Sequence, residues 1–414
     1  MANKKTTTKK KTSSTPTINK VIKTSKKMAK QNPKGFFIAV LVVILLVGLG
    51  VGGYFGYKYF IEPRLANHDG NSSQRSKYEG SATAIDINFL ELGNQYTGDC
   101  TFIKAGDKDI LIDAGSRQNS ATTISNFVDS YCTDGVLEYV IATHAHQDHI
   151  AGFVGSNKDT GIFKKYKIDT LIDFSRSQNQ TKDKPTDIYT NYINLRDEKI
   201  ASGDIAHHYT AEDCVNGTNG GKKLFDLAEG IQMEILDQKY YHEIDKNDEN
   251  NHSVCTLFRQ KNSYYLFTGD LEAKGEQSLV ETNNLPEVEL FKGGHHGSYT
   301  ANTDALLSVI KPKTICICCC AGHDEYVKAS GGLPNSAHTF PAQECVDRIA
   351  KYTTKVYITS VYSDDSKGYK SMNGIINFHS EDGDSYLVTG SNNSTILKDT
   401  EWFKSYRTIP NEWK

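Results

Sequence analysis

The sequence predicts a mixed α/β fold, in which sheets and helices pack in layers, preceded by a basic arm and an apolar span. Three observations lead to this prediction. Strand-like and helix-like runs alternate from about residue 82 onwards. Clusters of His, Asp and Asn follow several of the apolar strands, which is where ligands bind in layered α/β proteins. The first 61 residues differ in composition from everything that follows.

The N-terminal region predicts three segments. Residues 1–35 are rich in Lys, Thr and Ser and contain no acid, which predicts a disordered, basic cytoplasmic arm. Residues 36–60 contain an apolar run longer than a signal-peptide core of about 7–15 residues, which predicts a transmembrane signal anchor. Residues 61–81 predict a linker. Because Lys-rich flanks stay in the cytoplasm, we expect a single-pass plasma membrane protein whose domain, residues 82–414, lies outside.

Charge and the apolar span set the expectations for partners. Residues 1–61 carry twelve Lys and no acid, so in a chain with a net charge of −3 the remainder carries −15. Phosphate binding depends on Lys and Arg, which disfavours nucleic acid as a partner of this part. The span itself implies contact with the membrane. Gly48, Gly52 and Gly56 form a repeated G-x-x-x-G, so a homodimer through the transmembrane helix is a further expectation.

The globular part is predicted as a series of short elements. Residues 84–90 alternate as a half-buried strand does, and residues 100–103 and 109–113 predict a hairpin that turns at Gly106-Asp107. A helix is predicted over residues 121–128. Further strands are predicted at residues 140–143, 170–173, 231–236, 254–258 and 266–267, and a polar helix at residues 191–200.

Nine cysteines are an odd number for an exported protein. Four of them lie in an apolar, strand-like run at residues 315–320. Since no C-x-x-C pairs with a second one, a zinc ribbon is disfavoured. We expect the thiols to be small core residues. The sequence leaves open a disulfide between distant cysteines.

The stretch from His144 to His149 predicts a metal site. It follows a buried strand and gathers His144, His146, Asp148 and His149 within six residues. Imidazole and carboxylate are ligands of zinc and similar divalent ions. On an extended loop, residues two apart project to the same side, so His144 and His146 can hold one ion together. Asp148 and His149, beyond the bend, would face a second ion.

Three later stretches place polar residues beside apolar strands, as the first loop does. Each is weak evidence by itself, because such residues are common in turns and surface loops. Their shared position at strand ends indicates one common site. The stretches are Asn250-Asn251-His252-Ser253, Thr268-Gly269-Asp270 and Lys292-Gly293-Gly294-His295-His296-Gly297-Ser298.

Taken in order, these motifs resemble the metallo-β-lactamase superfamily over about residues 82–390. More narrowly, they resemble the branch that contains the metallohydrolase domain of ComEC-type competence proteins. The general resemblance is carried by Asp113-Ala114-Gly115, His144-x-His146-x-Asp148-His149, Thr268-Gly269-Asp270 and His295-His296-Gly297-Ser298. The narrower one is carried by Phe89-Leu90-Glu91-Leu92-Gly93 with Gly98-Asp99, by Asn250-Asn251-His252-Ser253, and by Asn335-Ser336-Ala337-His338 with Pro341.

The resemblance implies an αββα metallo-β-lactamase sandwich with two divalent metal ions, usually zinc, at one edge. Carried over by motif, His144 and His146 bind the first ion. Asp148 and His149 serve the second ion, and Asp270 bridges both.

The remaining assignments are less direct. The pair His295 and His296 supplies a further ligand, with His295 preferred and His296 close behind. His252 is either a ligand or a structural histidine beside a polar turn. Asp113 is expected to orient the metal loop without ligating. Positions expected to support the site or line a substrate pocket are Ser298, Asn335 and His338.

Together, resemblance and predicted location imply a membrane-anchored, extracytoplasmic, metal-dependent hydrolase. The favoured reaction is that of a phosphodiesterase using a hydroxide that bridges two metal ions, with Asp148 orienting this catalytic nucleophile. The expected substrate is a phosphodiester or ester, such as a cell-surface polymer. One alternative is a nuclease acting on DNA in a competence-related role, which the acidic domain disfavours. Another is a metal-binding surface scaffold protein without turnover.

Overall fold

The computed structural model describes residues 81–93, 96–323, 339–363 and 368–414. The predicted basic arm, the transmembrane anchor and the linker up to residue 80 lie outside the described residues, as do Asn335 and His338. Within the described ranges, no helix combines the length and the hydrophobicity needed to cross a bilayer.

The described chain alternates strands and helices, as its sequence predicts. The strands are β1 (Ile85–Phe89), β2 (Thr101–Ala105), β3 (Lys108–Ile112), β4 (Val136–Ala142), β5 (Lys167–Asp173), β6 (Ile205–Thr210), β7 (Leu224–Ala228), β8 (Ile231–Leu236), β9 (Cys255–Gln260), β10 (Ser263–Phe267), β11 (Leu290–Lys292), β12 (Thr314–Ala321), β13 (Val356–Ser363), β14 (Gly368–Ser371), β15 (Ile376–Ser380) and β16 (Leu387–Gly390). The helices are α1 (Ser120–Val128), α2 (Gln147–Val154), α3 (Ile162–Lys165), α4 (Asp187–Ser202), α5 (Ala211–Asn216), α6 (Ala273–Thr282), α7 (Asp304–Ile310), α8 (Gln343–Ile349) and α9 (Glu401–Tyr406).

The strands form two sheets of eight. The order is β16-β15-β1-β2-β3-β4-β5-β6 in the first sheet and β14-β13-β12-β11-β10-β9-β8-β7 in the second. Strands β3 to β6 run parallel, and so do β10 to β13. Parallel strands need crossover connections, which the intervening helices provide. The predicted mixed α/β fold with two sheets is therefore confirmed.

The predicted hairpin is present. Strands β2 and β3 pair antiparallel with Ile103 opposite Ile110, and the connection contains Gly106 at φ +56°. A glycine adopts this left-handed conformation without steric conflict, which is why the turn forms here. Strand β1 completes a three-stranded meander and pairs on its other side with β15, with Ile85 opposite Ser380.

Two apolar cores account for the layer order. The first core joins the facing sides of the two sheets and continues to the helices that cover the first sheet, with Ile124, Phe153 and Tyr192 among its residues. The second core lies between the second sheet and helices α6 to α9, where Leu279 and Val346 pack. Helices thus cover the outer face of each sheet, which is the layered arrangement that buries both sheet faces.

Strand β12 shows how one sequence serves both cores. Its eight residues are all buried. Cys316 and Cys318 belong to the first core, whereas Ile315, Ile317 and Cys319 belong to the second. Successive side chains of a strand point to opposite faces, so a continuous apolar run suits a strand covered on both sides. All nine cysteines of the chain are free and buried, which agrees with their predicted role as core residues.

Candidate metal centre

The loop between β4 and α2 carries the first predicted ligands. His144 follows β4, and His146 is the extended N-cap residue of α2, at φ −73° and ψ 148°. The loop brings Nε2 of His144 to 3.1 Å from Nδ1 of His146. Two nitrogens on one tetrahedral zinc lie about 3.3 Å apart when each Zn–N bond is about 2.0–2.1 Å. The pair is therefore spaced to share one ion.

Asp113 fixes the orientation of His149, the last histidine of this loop. Nδ1 of His149 lies 2.7 Å from Oδ2 of Asp113, at the end of β3. The Asp113 carboxylate also accepts hydrogen bonds from the backbone N–H and the hydroxyl of Thr143, both at 2.8 Å. Nε2 of His149 then lies 2.9 Å from Oδ2 of Asp270. A carboxylate behind a ligating imidazole is a common means of fixing its tautomer and direction.

Asp270 comes from the second sheet and lies in the turn that follows β10. Gly269 precedes it at φ +56°, and a side chain there would meet Ser253 and Thr143 at about 2.9 Å. The backbone N–H of Asp270 donates to Oγ of Ser253 at 3.1 Å. The turn therefore aims this carboxylate across to the histidines of the first sheet.

His295 and His296 lie in a short turn after β11. Both have positive φ, at +46° and +53°, a conformation that is uncommon outside glycine. In His295, Nδ1 lies 3.2 Å from Glu272 and Nε2 lies 3.9 Å from Asp270. In His296, Nδ1 donates to the carbonyl of Cys318 at 2.9 Å. The strained turn thus directs Nε2 of both imidazoles towards Asp270.

Four of the predicted ligands meet in one cluster. Single ligand atoms of Asp148, His149, Asp270 and His296 all lie within 4.8 Å of one another. Nε2 of His296 lies 3.1 Å from Asp270 and 3.3 Å from Asp148, yet it makes no hydrogen bond of good geometry with either. A buried imidazole nitrogen without an aligned partner, among carboxylate oxygens, fits a divalent ion.

The electrostatics of the cluster point the same way. Burial lowers the pKa of His144, and the neighbouring imidazoles lower it further. Burial alone would also lower the pKa of His149 and His296, but Asp270 and the carboxylates behind them raise both well above the usual value. The pKa of Asp270 is held well below its usual range against its burial, first by His149 and then by His296. The cluster therefore attracts positive charge, which protons or metal ions can supply.

Other predicted positions are placed as follows. Asp148 lies in the first turn of α2 with its side chain 32% exposed, facing His296. Ser298 is buried beside the histidine pair, and its Oγ lies 2.9 Å from Oγ1 of Thr300. His252 lies apart: its Nδ1 faces the carbonyl of Tyr240 at 3.2 Å, and it joins none of the ligand clusters found among the described residues.

Two residues of the site received no role from the sequence. Asp99 is buried, with Oδ1 3.3 Å from Nδ1 of His296. Lys292 is buried and pairs with Asp99 and Asp270. Burial alone would lower the pKa of Lys292, but these carboxylates raise it above its usual value. Both residues lie in sequence motifs described above, next to Gly98 and Gly293. This position was the sequence signal that could have identified them as site residues.

A carboxyl pair behind His295 was also missed. Burial, together with the hydrogen bond and charge of Glu272, raises the pKa of Asp248. Burial alone would raise the pKa of Glu272, but hydrogen bonds from His295 and Asp248 lower it. The carboxylate of Glu272 also accepts a hydrogen bond from Thr300 at 2.9 Å. Glu272 therefore holds the His295 imidazole in place, and Asp248 in turn contacts Glu272.

Comparisons with known proteins relate the chain to one superfamily and to several proteins. Residues 93–161 match the metallo-beta-lactamase superfamily. The chain is 30% identical over 278 residues to recombination protein 2 of Haemophilus influenzae, covering 66% of this chain and 28% of that protein. It is 22% identical over 238 residues to ComE operon protein 3 of Bacillus subtilis, covering 58% and 25%. The chain thus spans about a quarter of the length of these relatives. The metallo-beta-lactamase fold protein YhfI from Bacillus subtilis is 10% identical, with a TM-score of 0.35, covering 67% of this chain and 96% of that one.

These matches support the metallo-beta-lactamase superfamily for this chain, and members of that superfamily are usually metal-dependent hydrolases that typically bind divalent ions, most often zinc. The narrower, ComEC-like assignment is supported by the relatives of this chain. Its relatives include the competence protein ComA of Neisseria gonorrhoeae, which is 30% identical over 135 residues, covering 32% of this chain and 17% of that protein.

Proposed function

We propose that this protein is a membrane-anchored, extracytoplasmic phosphodiesterase that uses two divalent ions, zinc by ligand type. One observation carries the proposal: Asp148, His149, Asp270 and His296 converge within 4.8 Å. The paired nitrogens of His144 and His146 lie beside this cluster and would hold the first ion. Divalent ions bound there would acidify a water molecule and so supply hydroxide at neutral pH.

Residues of the chain would orient the attacking water and hold the metal-binding imidazoles. Asp148 is the most exposed carboxylate of the cluster, so it is placed to orient an attacking water through a hydrogen bond. Asp113 and Glu272 hold the imidazoles of His149 and His295 from behind. These groups are fixed before substrate arrives, which reduces the reorganisation needed during the reaction.

The charge of the centre supports a substrate whose reacting group is anionic. The centre contains the carboxylates of Asp99, Asp113, Asp148 and Asp270 and the ammonium of Lys292. With neutral histidines, two divalent ions would add four positive charges to this net negative group, which favours the approach of a phosphodiester. The exported part as a whole is acidic, so a surface polymer that also carries cationic groups suits it better than a long polyanion.

The test measures metal content and hydrolysis of an aryl phosphodiester by the full chain, before and after Asp148→Asn. We expect turnover at saturating metal to fall by about 10²–10⁴-fold, because general base assistance contributes about that much. An Asp148→Asn protein that is as active as the wild type removes Asp148 from the mechanism. A metal-loaded wild type that cleaves no phosphodiester, ester or β-lactam supports a surface scaffold instead.

The similarity to competence proteins favours a nuclease as the second candidate. Such a protein would cleave DNA in preference to a small aryl phosphodiester. Its DNA affinity would fall steeply with added salt, because each phosphate contact releases counterions. Binding of single- and double-stranded DNA between 50 and 200 mM salt, about the range over which such contacts weaken markedly, discriminates the two candidates.

A further inference from the structure

A buried ammonium lies among the carboxylates of the candidate metal centre. Lys292 ends strand β11, and its side chain is 4% exposed. Its Nζ donates to the carbonyl of Gly269 at 3.0 Å and pairs with the carboxylates of Asp99 and Asp270. A fixed positive charge in this position repels any divalent ion nearby. Its presence at a metal centre therefore needs a reason.

The two oxygens of Asp270 have different partners. Oδ1 lies 3.4 Å from Nζ of Lys292. Oδ2 lies 2.9 Å from Nε2 of His149 and 3.1 Å from Nε2 of His296. The lysine thus occupies one side of the carboxylate, and the ligand cluster lies on the other. Turning the carboxylate so that both oxygens face the ligand cluster would break the pairing with Lys292.

Asp99 holds the lysine in this position. Its carboxylate pairs with Lys292 and lies 3.3 Å from Nδ1 of His296. The backbone of Asp99 is fixed as well, since its N–H donates to the carbonyl of Asp148 at 3.1 Å and its carbonyl accepts from Gly115 at 2.9 Å. The ammonium is therefore anchored to the backbone of the first sheet's loops while it contacts Asp270 of the second.

We propose that Lys292 is a positioning residue that holds Oδ1 of Asp270 and leaves Oδ2 alone to face the metal ions, at the expense of metal affinity. The same charge adds to the attraction of the metal-loaded centre for an anionic substrate, and this second effect rests on the proposed phosphodiesterase function. Removing the charge therefore has two opposite consequences. Metal ions bind more tightly, and an anionic substrate binds more weakly.

Lys292→Met tests this inference in the full chain, with Lys292→Gln as a second variant whose amide keeps a donor for Gly269. Lys104→Met is the matched control. Lys104 is also a buried lysine paired with a carboxylate, at 2.8 Å from Asp109, but it lies on β2 outside the centre. The loss of a buried ion pair is common to all three variants, whereas the loss of charge at the centre belongs to the Lys292 variants.

Zinc affinity, measured by competition with a chromophoric chelator, is the first readout. We expect about tenfold tighter binding or more in both Lys292 variants, and wild-type affinity in Lys104→Met. A lysine with a merely structural role predicts the opposite, because a loosened centre binds zinc more weakly. Unchanged or weaker binding in both Lys292 variants overturns the proposal. Failure of both to fold, judged by circular dichroism, assigns Lys292 a structural role and overturns it too.

The second readout is KM for an anionic aryl phosphodiester against KM for a neutral aryl ester. We expect the first to rise by about tenfold in Lys292→Met and the second to stay unchanged. A wild-type protein that binds zinc but cleaves no phosphodiester removes the proposed function, yet the zinc affinities still decide the positioning role. Equal changes in both KM values contradict the charge effect on substrate.

Discussion

At the scale of single residues, Asp113 connects the beginning and the end of the metal loop. It accepts hydrogen bonds from Thr143, just before the loop, and faces Nδ1 of His149, near its end. Its φ of +59° lies in the left-handed region, which Asp and Asn tolerate better than most residues. An Asn at this position therefore tests the charge and the acceptor without disturbing the backbone.

We predict that Asp113→Asn lowers metal affinity by about 10–100-fold, because the imidazole of His149 loses the carboxylate that orients it. Competition with a chelator measures the change. Asp109→Asn is the control, since Asp109 is also buried and lies at the other end of the same strand. Equal affinities in the wild type and Asp113→Asn would show that Asp113 does not act through His149.

Glu249 connects two loops beside the centre. Its carboxylate accepts hydrogen bonds from the backbone N–H of Gln178 at 2.7 Å, from the hydroxyl of Ser177 at 2.9 Å and from the N–H of Ala145 at 3.3 Å. Ala145 lies between His144 and His146 of the metal loop. The residue is 2% exposed, and this burial raises the pKa of Glu249 to about 7.

This raised pKa predicts a pH-dependent stability. Between pH 4.5 and about 7 the folded chain binds a proton at Glu249 that the unfolded chain has released, so the free energy of unfolding falls as pH rises. The contribution amounts to about 3 kcal/mol and is lost above about pH 7. Denaturant unfolding of metal-free protein at pH 5 and pH 7.5 measures it. In Glu249→Gln the fall should be smaller by about that amount, and an equal fall contradicts the assignment.

At the scale of elements, close backbone contacts hold three loops together. The N–H of Ala114 donates to the carbonyl of His149 at 2.8 Å, and that of Asp99 donates to Asp148 at 3.1 Å. A side chain at Gly115 would meet the carbonyl of Asp148 at 1.3 Å. The loop after β3 can therefore touch the start of α2 only because residue 115 is a glycine.

We predict that Gly115→Ala displaces the metal loop, lowers the free energy of unfolding by about 3 kcal/mol or more and weakens metal binding. Thermal unfolding and chelator competition measure the two effects. Gly230→Ala is the control. Gly230 has φ +72° but no atom near its missing side chain, so a loss of about 1 kcal/mol with unchanged metal affinity is expected. Similar behaviour of the two variants would contradict the contact.

The sequence predicted elements whose signal is local. Alternation revealed β1, a glycine turn revealed the β2–β3 hairpin, and clustered ligands revealed the metal loop. Strand β6 was not predicted, because it lies at a sheet edge and Ala206 and His207 are exposed. Its apolar pattern is therefore incomplete. The pairing of β1 with β15 was not predicted either, because strands nearly 300 residues apart in the sequence give no local sequence pattern.

The residues of the site were also predicted only where their sequence signal is local. Histidines and aspartates that crowd one loop are visible in the sequence, and the structure brings four of them within 4.8 Å. Glu249 and Glu272 were not visible, because a single glutamate becomes informative only when folding buries it beside other groups. The preference for His295 over His296 remains a prediction, although the distances to Asp270, 3.9 Å and 3.1 Å, favour His296.

At the scale of the whole molecule, the candidate centre joins the two sheets. His144, His149 and Asp113 follow strands of the first sheet, whereas Asp270 and His296 follow strands of the second. Metal ions held by both sets would link the two halves of the sandwich. Binding to the folded chain alone stabilises it in proportion to the logarithm of metal concentration.

We predict that a chelator lowers the midpoint of thermal unfolding by roughly 5 °C, because metal at 100 times its dissociation constant contributes about 2.7 kcal/mol. Differential scanning calorimetry with and without the chelator measures the shift. Asp270→Asn should show little shift, since it removes the ligand that is predicted to bridge both ions. A wild type insensitive to the chelator would contradict a link between the sheets through metal.

The burial of all nine thiols affects how the chain folds and how its cysteines react. None of them is open to an oxidant or an alkylating reagent in the folded molecule. The chain is predicted to lie outside the cytoplasm. Its core must therefore form before unintended disulfide bonds link its strands. The same burial turns each sulfur into a probe of its own surroundings, because the rate at which it becomes labelled reports how often that part of the sandwich opens.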